Sequence, residues 1–266
     1  MAARLSSVHC GVHSDEVRPL KGLAVKVFGV EGRKLLPGKK DEVTQDFLFV
    51  SLPVLPFGDV WSYLDVQRKE EERTLNSEPQ PGFVAGQLRD AVGQTSPHIL
   101  GETFHGIAAV RFGAYVAKLS VAPLWPSVTE LAGLAVEIEA HRSGSHDQVV
   151  DFFRTQPAEY EIRAQLCTDL KHMPVEDASV VWDAELSPHL AVARLTFPPQ
   201  DAYSAARRIY GEEVMSFNPW HCIDEHRPLG SVMRARIAAD EGPSRFHHTM
   251  NGQPSVEPRD IAEIPD

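Results

Sequence analysis

The sequence predicts an α+β fold with a large antiparallel β-barrel core and helices added around it and at the C-terminus. Apolar residues alternate with period two in several long segments, which is typical of strands. The spacing of these segments is mixed and does not follow a βαβ succession, which favours an antiparallel sheet closing towards a barrel. Helical spacing dominates only the last quarter of the 266 residues.

The predicted strands are alternating or almost wholly apolar, and β-prone residues are common in them. They are LAVKVFG (23–29), DFLFVSL (46–52), AAVRFGAYVAKLSVAP (108–123), EYEIRAQLCT (159–168) and HLAVARLTFPP (189–199).

Four segments have helical spacing, and they are 60–73, DQVVDFFRTQ (147–156), DAYSAARRIYG (201–211) and GSVMRARIAADEG (230–242). Asp201 and Ser231 are the predicted N-caps of the last two helices, because their side chains can accept from free backbone N–H groups. Gly242 is expected to end the final helix.

Composition narrows the function classes. A net charge of −11 argues against nucleic-acid binding, and no apolar run reaches the length of a membrane span. The three cysteines are far apart and form no CxxC, which indicates free thiols in a reducing compartment. No secretory signal is evident at the N-terminus, so we expect a cytoplasmic protein. A chain of this length suits one large domain, which we expect over residues 1–266.

Common catalytic motifs are missing: the sequence has no GxGxxG after a strand, no Walker A, no HExxH and no GxSxG. His221 and His226 flank the stretch CIDE and have two interpretations. Both side chains could point at one site, or each could make only a cap or turn hydrogen bond.

Several stretches, taken in order, resemble the catalase-like superfamily of haem proteins, and in particular its small catalase-related branch. ARLSS resembles the family's R-F-S segment, and PLKGLAVKVFGVEG resembles D-x-R-G-F-A-V-K-F. TQDFLFVSLPVLPFGD is similar to the T-P-V-F-F strand. Near the C-terminus, SFNPWHCIDEHRPLGSVMRAR resembles the segment leading into the proximal haem helix, and it is the most specific match.

The resemblance implies a catalase-like barrel that binds haem b. In the family, an arginine and a tyrosine four residues later lie on one face of the proximal helix, and the tyrosine phenolate ligates iron. Arg236 matches that arginine, whereas Asp240 stands in place of the tyrosine. Asp240 could bind the metal or pair with Arg236, and His247 or His248 could be a substitute ligand.

On the distal side, Arg4 matches the arginine that contacts the haem propionates. Phe47 and Phe49 fall among residues that pack near the distal face. The resemblance implies that Arg4, Phe47, Phe49, Arg236 and Asp240 bind the cofactor, with Asp240 at the metal. The family's distal histidine would precede Met1 and its distal asparagine corresponds to Val43, so no catalytic residue is predicted.

The first functional hypothesis is a haem-binding, catalase-related oxidoreductase or peroxidase acting on hydrogen peroxide or on organic or lipid hydroperoxides, as in the response to oxidative stress. Its expected partner is the small-molecule peroxide, with a homo-oligomer as the expected assembly. The alternative is an inactive, truncated catalase-fold chain, lacking the family's N-terminal segment, that serves as a binding or scaffold module. A third hypothesis is a barrel that binds a small apolar ligand in the vacated haem pocket.

Overall fold

In the part of the chain that the structure describes, eight antiparallel strands form one curled sheet. The computed structural model describes residues 1–8, 20–75, 97–134, 144–237 and 256–266. The strands are β1 (Ala2–Val8), β2 (Leu20–Phe28), β3 (Thr44–Val50), β4 (Phe104–His105), β5 (Val110–Phe112), β6 (Tyr115–Pro123), β7 (Ala158–Leu166) and β8 (His189–Phe197). Their order is β1-β2-β3-β4-β6-β7-β8, and β5 pairs with β6.

Helices connect the strands and follow them. The α-helices are α1 (Val60–Leu75), α2 (Pro126–Thr129), α3 (Gly144–Thr155), α4 (Ala205–Ile209) and α5 (231–237). Helix α4 continues as a π-helix over Tyr210–Val214, and 3₁₀ turns cover Ile99–Gly101, Asp224–His226 and Ile261–Glu263. Among the described residues, no helix is both long enough and apolar enough to cross a membrane.

The predicted closed barrel is wrong, because the described strands form an open half-barrel. Closure requires every strand to have two neighbours. Within the described sheet β1 pairs only with β2, and β8 pairs only with β7. Strand β8 exposes most of its side chains, including half of Leu190 and nearly half of Val192. The α+β class and the antiparallel pairing are as predicted.

The segment predicted as one strand over 108–123 is instead a hairpin. Phe112 pairs with Tyr115, so Gly113 and Ala114 form a two-residue turn between β5 and β6. Gly113 has a φ of +63°, a conformation that glycine adopts without the steric cost paid by other residues.

Neither predicted N-cap residue caps its helix. Asp201 accepts from the backbone of Tyr203 in a turn, whereas Ser204 accepts from Arg207 N and caps α4. Ser231 does begin α5, but its hydroxyl accepts from the backbone N–H of Val60 at the start of α1. The predicted end at Gly242 lies outside the described residues.

The main apolar core covers one face of the sheet. It includes Leu23 and Val25 of β2, Phe49 of β3, and Ala117 and Leu119 of β6. Successive side chains of a strand point to opposite faces, so Lys26 of β2 and Asp46 of β3 lie on the face opposite this core. This two-sided arrangement positions the candidate site.

Candidate functional site

A small hollow lies on the apolar face of β3, between that strand and α5. Its volume is about 50 Å³. The lining residues are Gln45, Asp46, Phe47, Leu48, Phe49, Gly106, Ala108, Val110, Leu119, Pro219, His226, Pro228 and Met233. Most of these side chains are apolar, so the hollow suits a ligand that is largely apolar.

Strand β3 forms one wall with two aromatic rings. Phe47 lies opposite Val25 and Phe49 opposite Leu23 in the β2–β3 register, which puts both rings on the core face. Their centroids are 6.4 Å apart, and Phe49 is only 3% exposed. Both phenylalanines that the sequence assigned to the haem pocket therefore line one hollow.

The loop between β4 and β5 forms a second wall, and its backbone is strained. Gly106 and Ala108 line the hollow, and Ile107 between them has a φ of +33°. A β-branched residue in this region is a genuine outlier that costs about 1–3 kcal/mol. Such strain is retained only where the surrounding packing imposes it.

Helix α5 closes the hollow through Met233. The helix follows Gly230, which has a φ of +91° and leaves only 3.0 Å between an added Cβ and the carbonyl oxygen of Val175. Trp220 Nε1 donates to the carbonyl of Met233 over 2.7 Å. Arg234 makes a bidentate pair with Glu176, with N···O distances of 2.9 and 2.8 Å.

The segment before α5 brings His226 to the hollow. It runs antiparallel to β5: Arg111 N donates to Arg227 O over 2.8 Å, and Leu229 N donates to Ala109 O over 2.9 Å. The imidazole of His226 lies between two rings, with its centroid 5.6 Å from that of Phe47 and 6.0 Å from that of Phe112. Burial lowers its pKa, so the ring is neutral at pH 7.

The other face of the same strands holds a buried ionic network. Lys26 is fully buried and lies 2.6 Å from an oxygen of Asp46, its partner across β2 and β3. Its ammonium also pairs with Glu257 of the C-terminal segment. Glu257 accepts from Lys39 over 2.9 Å and from the hydroxyl of Thr44 over 2.8 Å.

His221 completes this network. Because the Thr44 hydroxyl donates its proton to Glu257, it accepts from Nε2 of His221, 2.8 Å away. The buried Nδ1 of His221 has no hydrogen-bond partner. Burial lowers the pKa of this histidine to about 4, so it is neutral at pH 7.

The two carboxylates of the network have opposite pKa shifts. Burial raises the pKa of Asp46 to about 6, and Lys26 offsets only part of that rise. Burial also acts to raise the pKa of Glu257, but attraction by Lys26 and then Lys39 lowers it to about 2. Glu257 is therefore the carboxylate that holds the network's negative charge most firmly.

The residues assigned to cofactor binding divide between the two faces. Phe47 and Phe49 line the hollow, whereas Arg4, which pairs across β1 and β2 with Ala24, shares the face of Lys26 and Asp46. Its guanidinium lies 4.9 Å from the ring centroid of Phe217. Arg236 is a half-buried residue of α5 that does not line the hollow. Asp240, His247 and His248 lie outside the described residues.

His221 and His226 do not share a site. His221 contacts Thr44, and His226 contacts the next residue, Gln45, whose side chain points to the opposite face of β3. The closeness of the two histidines in the sequence suggested one site. Because Thr44 and Gln45 point to opposite faces of β3, the strand places the two histidines in separate environments. Sequence reasoning missed the network with Glu257 altogether. Within the described residues, no group of three His, Cys, Asp or Glu could hold a metal ion.

Comparison with known proteins identifies the fold. No protein-family model and no curated protein matches the sequence. Solved structures do match: catalase A from Saccharomyces cerevisiae has a TM-score of 0.65 and 13% identity, over 92% of this chain and 53% of its own. The fold is catalase-like.

Two further solved structures support this result. A fungal catalase has a TM-score of 0.62 and 16% identity, over 94% of this chain and 52% of its own. A bacterial catalase has a TM-score of 0.60 and 12% identity, over 92% of this chain and 50% of its own. The catalase-like chain thus spans about half the length of these catalases, and identities this low establish the fold alone.

Proposed function

We propose that this catalase-like chain binds haem and acts on hydrogen peroxide or on an organic or lipid hydroperoxide. The observation that carries the proposal is the position of the hollow. It lies between β3 and α5, the elements that the family resemblance assigns to the distal and proximal sides of haem b. The catalase-like fold over more than nine-tenths of the chain supports the same proposal.

The hollow fits a haem in its chemistry but not in its volume. Met233 belongs to a residue type that ligates haem iron, and the surrounding walls are apolar and aromatic. Pockets for cofactors and comparable ligands have volumes on the order of 300–1,000 Å³. A hollow of about 50 Å³ does not hold the macrocycle, so haem binding requires β3 and α5 to separate.

Titration of the purified chain with hemin tests the proposal. We expect a Soret band that saturates at one haem per chain, together with faster amide hydrogen exchange in α5 as the helix moves. Hydrogen peroxide and cumene hydroperoxide, added separately to the loaded protein, then identify the preferred oxidant. Absence of a saturable Soret band would refute the proposal.

A filled-hollow variant supplies the control for that titration. Phe47→Trp adds volume inside the hollow and should weaken haem uptake about fivefold or more, since overpacking typically costs about 1–3 kcal/mol. Phe57→Trp makes the same exchange at a ring that packs against Tyr63 in a tilted arrangement, away from the hollow, and should bind haem like the parent chain. Equal haem uptake by both variants would place the haem elsewhere.

A second candidate function is the binding of a small, largely apolar molecule without haem. The volume of about 50 Å³ and the apolar lining favour it. If this candidate is correct, the hemin titration gives no saturable Soret band. Small apolar molecules still change the NMR chemical shifts of residues that line the hollow.

A further inference from the structure

His226 has one ring nitrogen free to bind a ligand. Its Nδ1 lies 2.9 Å from Nε2 of Gln45. Among the residues that the structure describes, no hydrogen bond involves its Nε2, and that atom is not among the fully buried polar atoms that lack a partner. The side chain lines the hollow described above.

The backbone of Ile223 fixes which tautomer His226 adopts. Ile223 N donates to Oε1 of Gln45 over 3.3 Å, so the amide nitrogen of Gln45 faces His226. Rotating that amide would place its NH₂ group against the Ile223 N–H, donor against donor. The Gln45 amide therefore donates to Nδ1, and the proton of the neutral imidazole resides on Nε2.

The other polar residues of the lining are already engaged. Asp46 directs its carboxylate to the opposite face, where it contacts Lys26 and accepts from Asn218 N over 3.0 Å. Gln45 is 1% exposed and bonds to Ile223 and His226. The Nε2–H of His226 is thus the accessible donor that the described lining offers.

We infer that the hollow binds a small apolar molecule carrying one hydrogen-bond acceptor, and that His226 recognises this acceptor by donating from Nε2. A buried water needs on the order of 10–15 Å³, so a hollow of about 50 Å³ takes a ligand of roughly four non-hydrogen atoms. The inference rests on the hollow used in the proposed function, but it requires no haem.

Two ligands of the same shape test the inference on haem-free protein. Acetone carries a carbonyl oxygen, and isobutene has a methylene group in its place. Binding of each is followed by NMR titration of ¹⁵N-labelled protein. We expect His226→Leu to weaken acetone binding roughly five- to tenfold, the value of one neutral hydrogen bond, and to leave isobutene binding within about twofold.

A conservative variant separates the donor from the shape of the ring. His226→Gln places an amide N–H near the position of Nε2, so it should keep acetone binding within about threefold of the parent chain. His172→Leu changes an exposed histidine that pairs with Asp169 in a loop, and it should bind both ligands normally. The dispersion of the amide NMR signals of each variant shows whether its fold is intact.

The tautomer itself is a direct readout. A long-range ¹H–¹⁵N correlation spectrum should show a protonated Nε2 and an unprotonated Nδ1 for His226. The chemical shift of Nε2 should change when acetone binds. A protonated Nδ1, equal weakening of both ligands by His226→Leu, or no binding of acetone would overturn the inference. Failure of the hemin titration leaves this result untouched, so the two proposals fail separately.

Discussion

Adjacent residues of β3 have opposite environments. Thr44 and Asp46 contact the buried ionic network, whereas Gln45, Phe47 and Phe49 face the apolar core and the hollow. DFLFV is almost wholly apolar, which predicted a strand but not which of its faces is buried. The family resemblance assigned Phe47 and Phe49 to one pocket, and residues two apart in a strand do share a face. Neither signal could reveal Glu257, because that residue lies 231 positions from its partner Lys26 and follows no local pattern.

Substitution of Glu257 by Gln tests the network. The change removes a carboxylate that is 4% exposed and faces the fully buried Lys26. Losing one partner of a buried ion pair costs about 3–5 kcal/mol, but Asp46 still pairs with Lys26, so we expect a loss of about 2–3 kcal/mol. Urea unfolding at pH 7 measures it. Glu130→Gln, at an exposed residue, should change stability by less than about 0.5 kcal/mol.

His98 supplies a prediction about pH. Its Nδ1 accepts from Leu100 N over 3.2 Å, and burial lowers its pKa to about 4. The folded pKa lies below the unfolded value of 6.5, so the neutral form stabilises the fold above pH 6.5, and this stability is lost as the pH falls towards 4. His98 should therefore contribute about 2 kcal/mol of acid destabilisation, after a discount for partial solvent contact.

The variant His98→Asn isolates this contribution. Asparagine keeps an acceptor near the position of Nδ1 but does not titrate. We expect similar stability at pH 7 and a smaller loss for the variant between pH 6.5 and pH 4, measured by urea unfolding. Parallel curves for the two proteins across that range would show that His98 is not the titrating group.

At the scale of elements, the turn between β5 and β6 gives the sharpest prediction. Gly113 has a φ of +63°, and no atom lies within 4 Å of the position of an added Cβ. Gly113→Ala therefore incurs only the backbone cost, about 1 kcal/mol. Gly211→Ala also meets open space but has no positive φ, so it should raise stability slightly, by about 0.4–1 kcal/mol. Equal melting temperatures would contradict the backbone explanation.

The positions of most elements could be predicted because alternation and helical spacing are local signals. Strands β2, β3, β7 and β8 lie within three residues of their predicted bounds. The β5–β6 turn was missed because the alternating run continues on both sides of it. The two turn residues, Gly113 and Ala114, include no polar side chain that would have signalled a turn. The N-cap of α4 was misassigned because Asp201 and Ser204 both suit that role, and only their backbone geometry distinguishes them.

At the scale of the whole molecule, local patterns reach their limit. Antiparallel pairing follows from strand length and spacing, but closure depends on whether β1 and β8 meet, which no periodicity encodes. The volume of the hollow is likewise a property of packing among β3, the 106–110 loop and α5. The resemblance to catalases anticipated the fold, but not the small size of the hollow.

The two-sided character of β3 links distant parts of the chain. Displacing this strand to enlarge the hollow would also carry Thr44 and Asp46, which bond Glu257 and Lys26 on the reverse side. An occupant of the interior would consequently alter the attachment of residues 256–266. A spectroscopic label on the C-terminal tail would then report, from the far side of the sheet, whether the interior is filled.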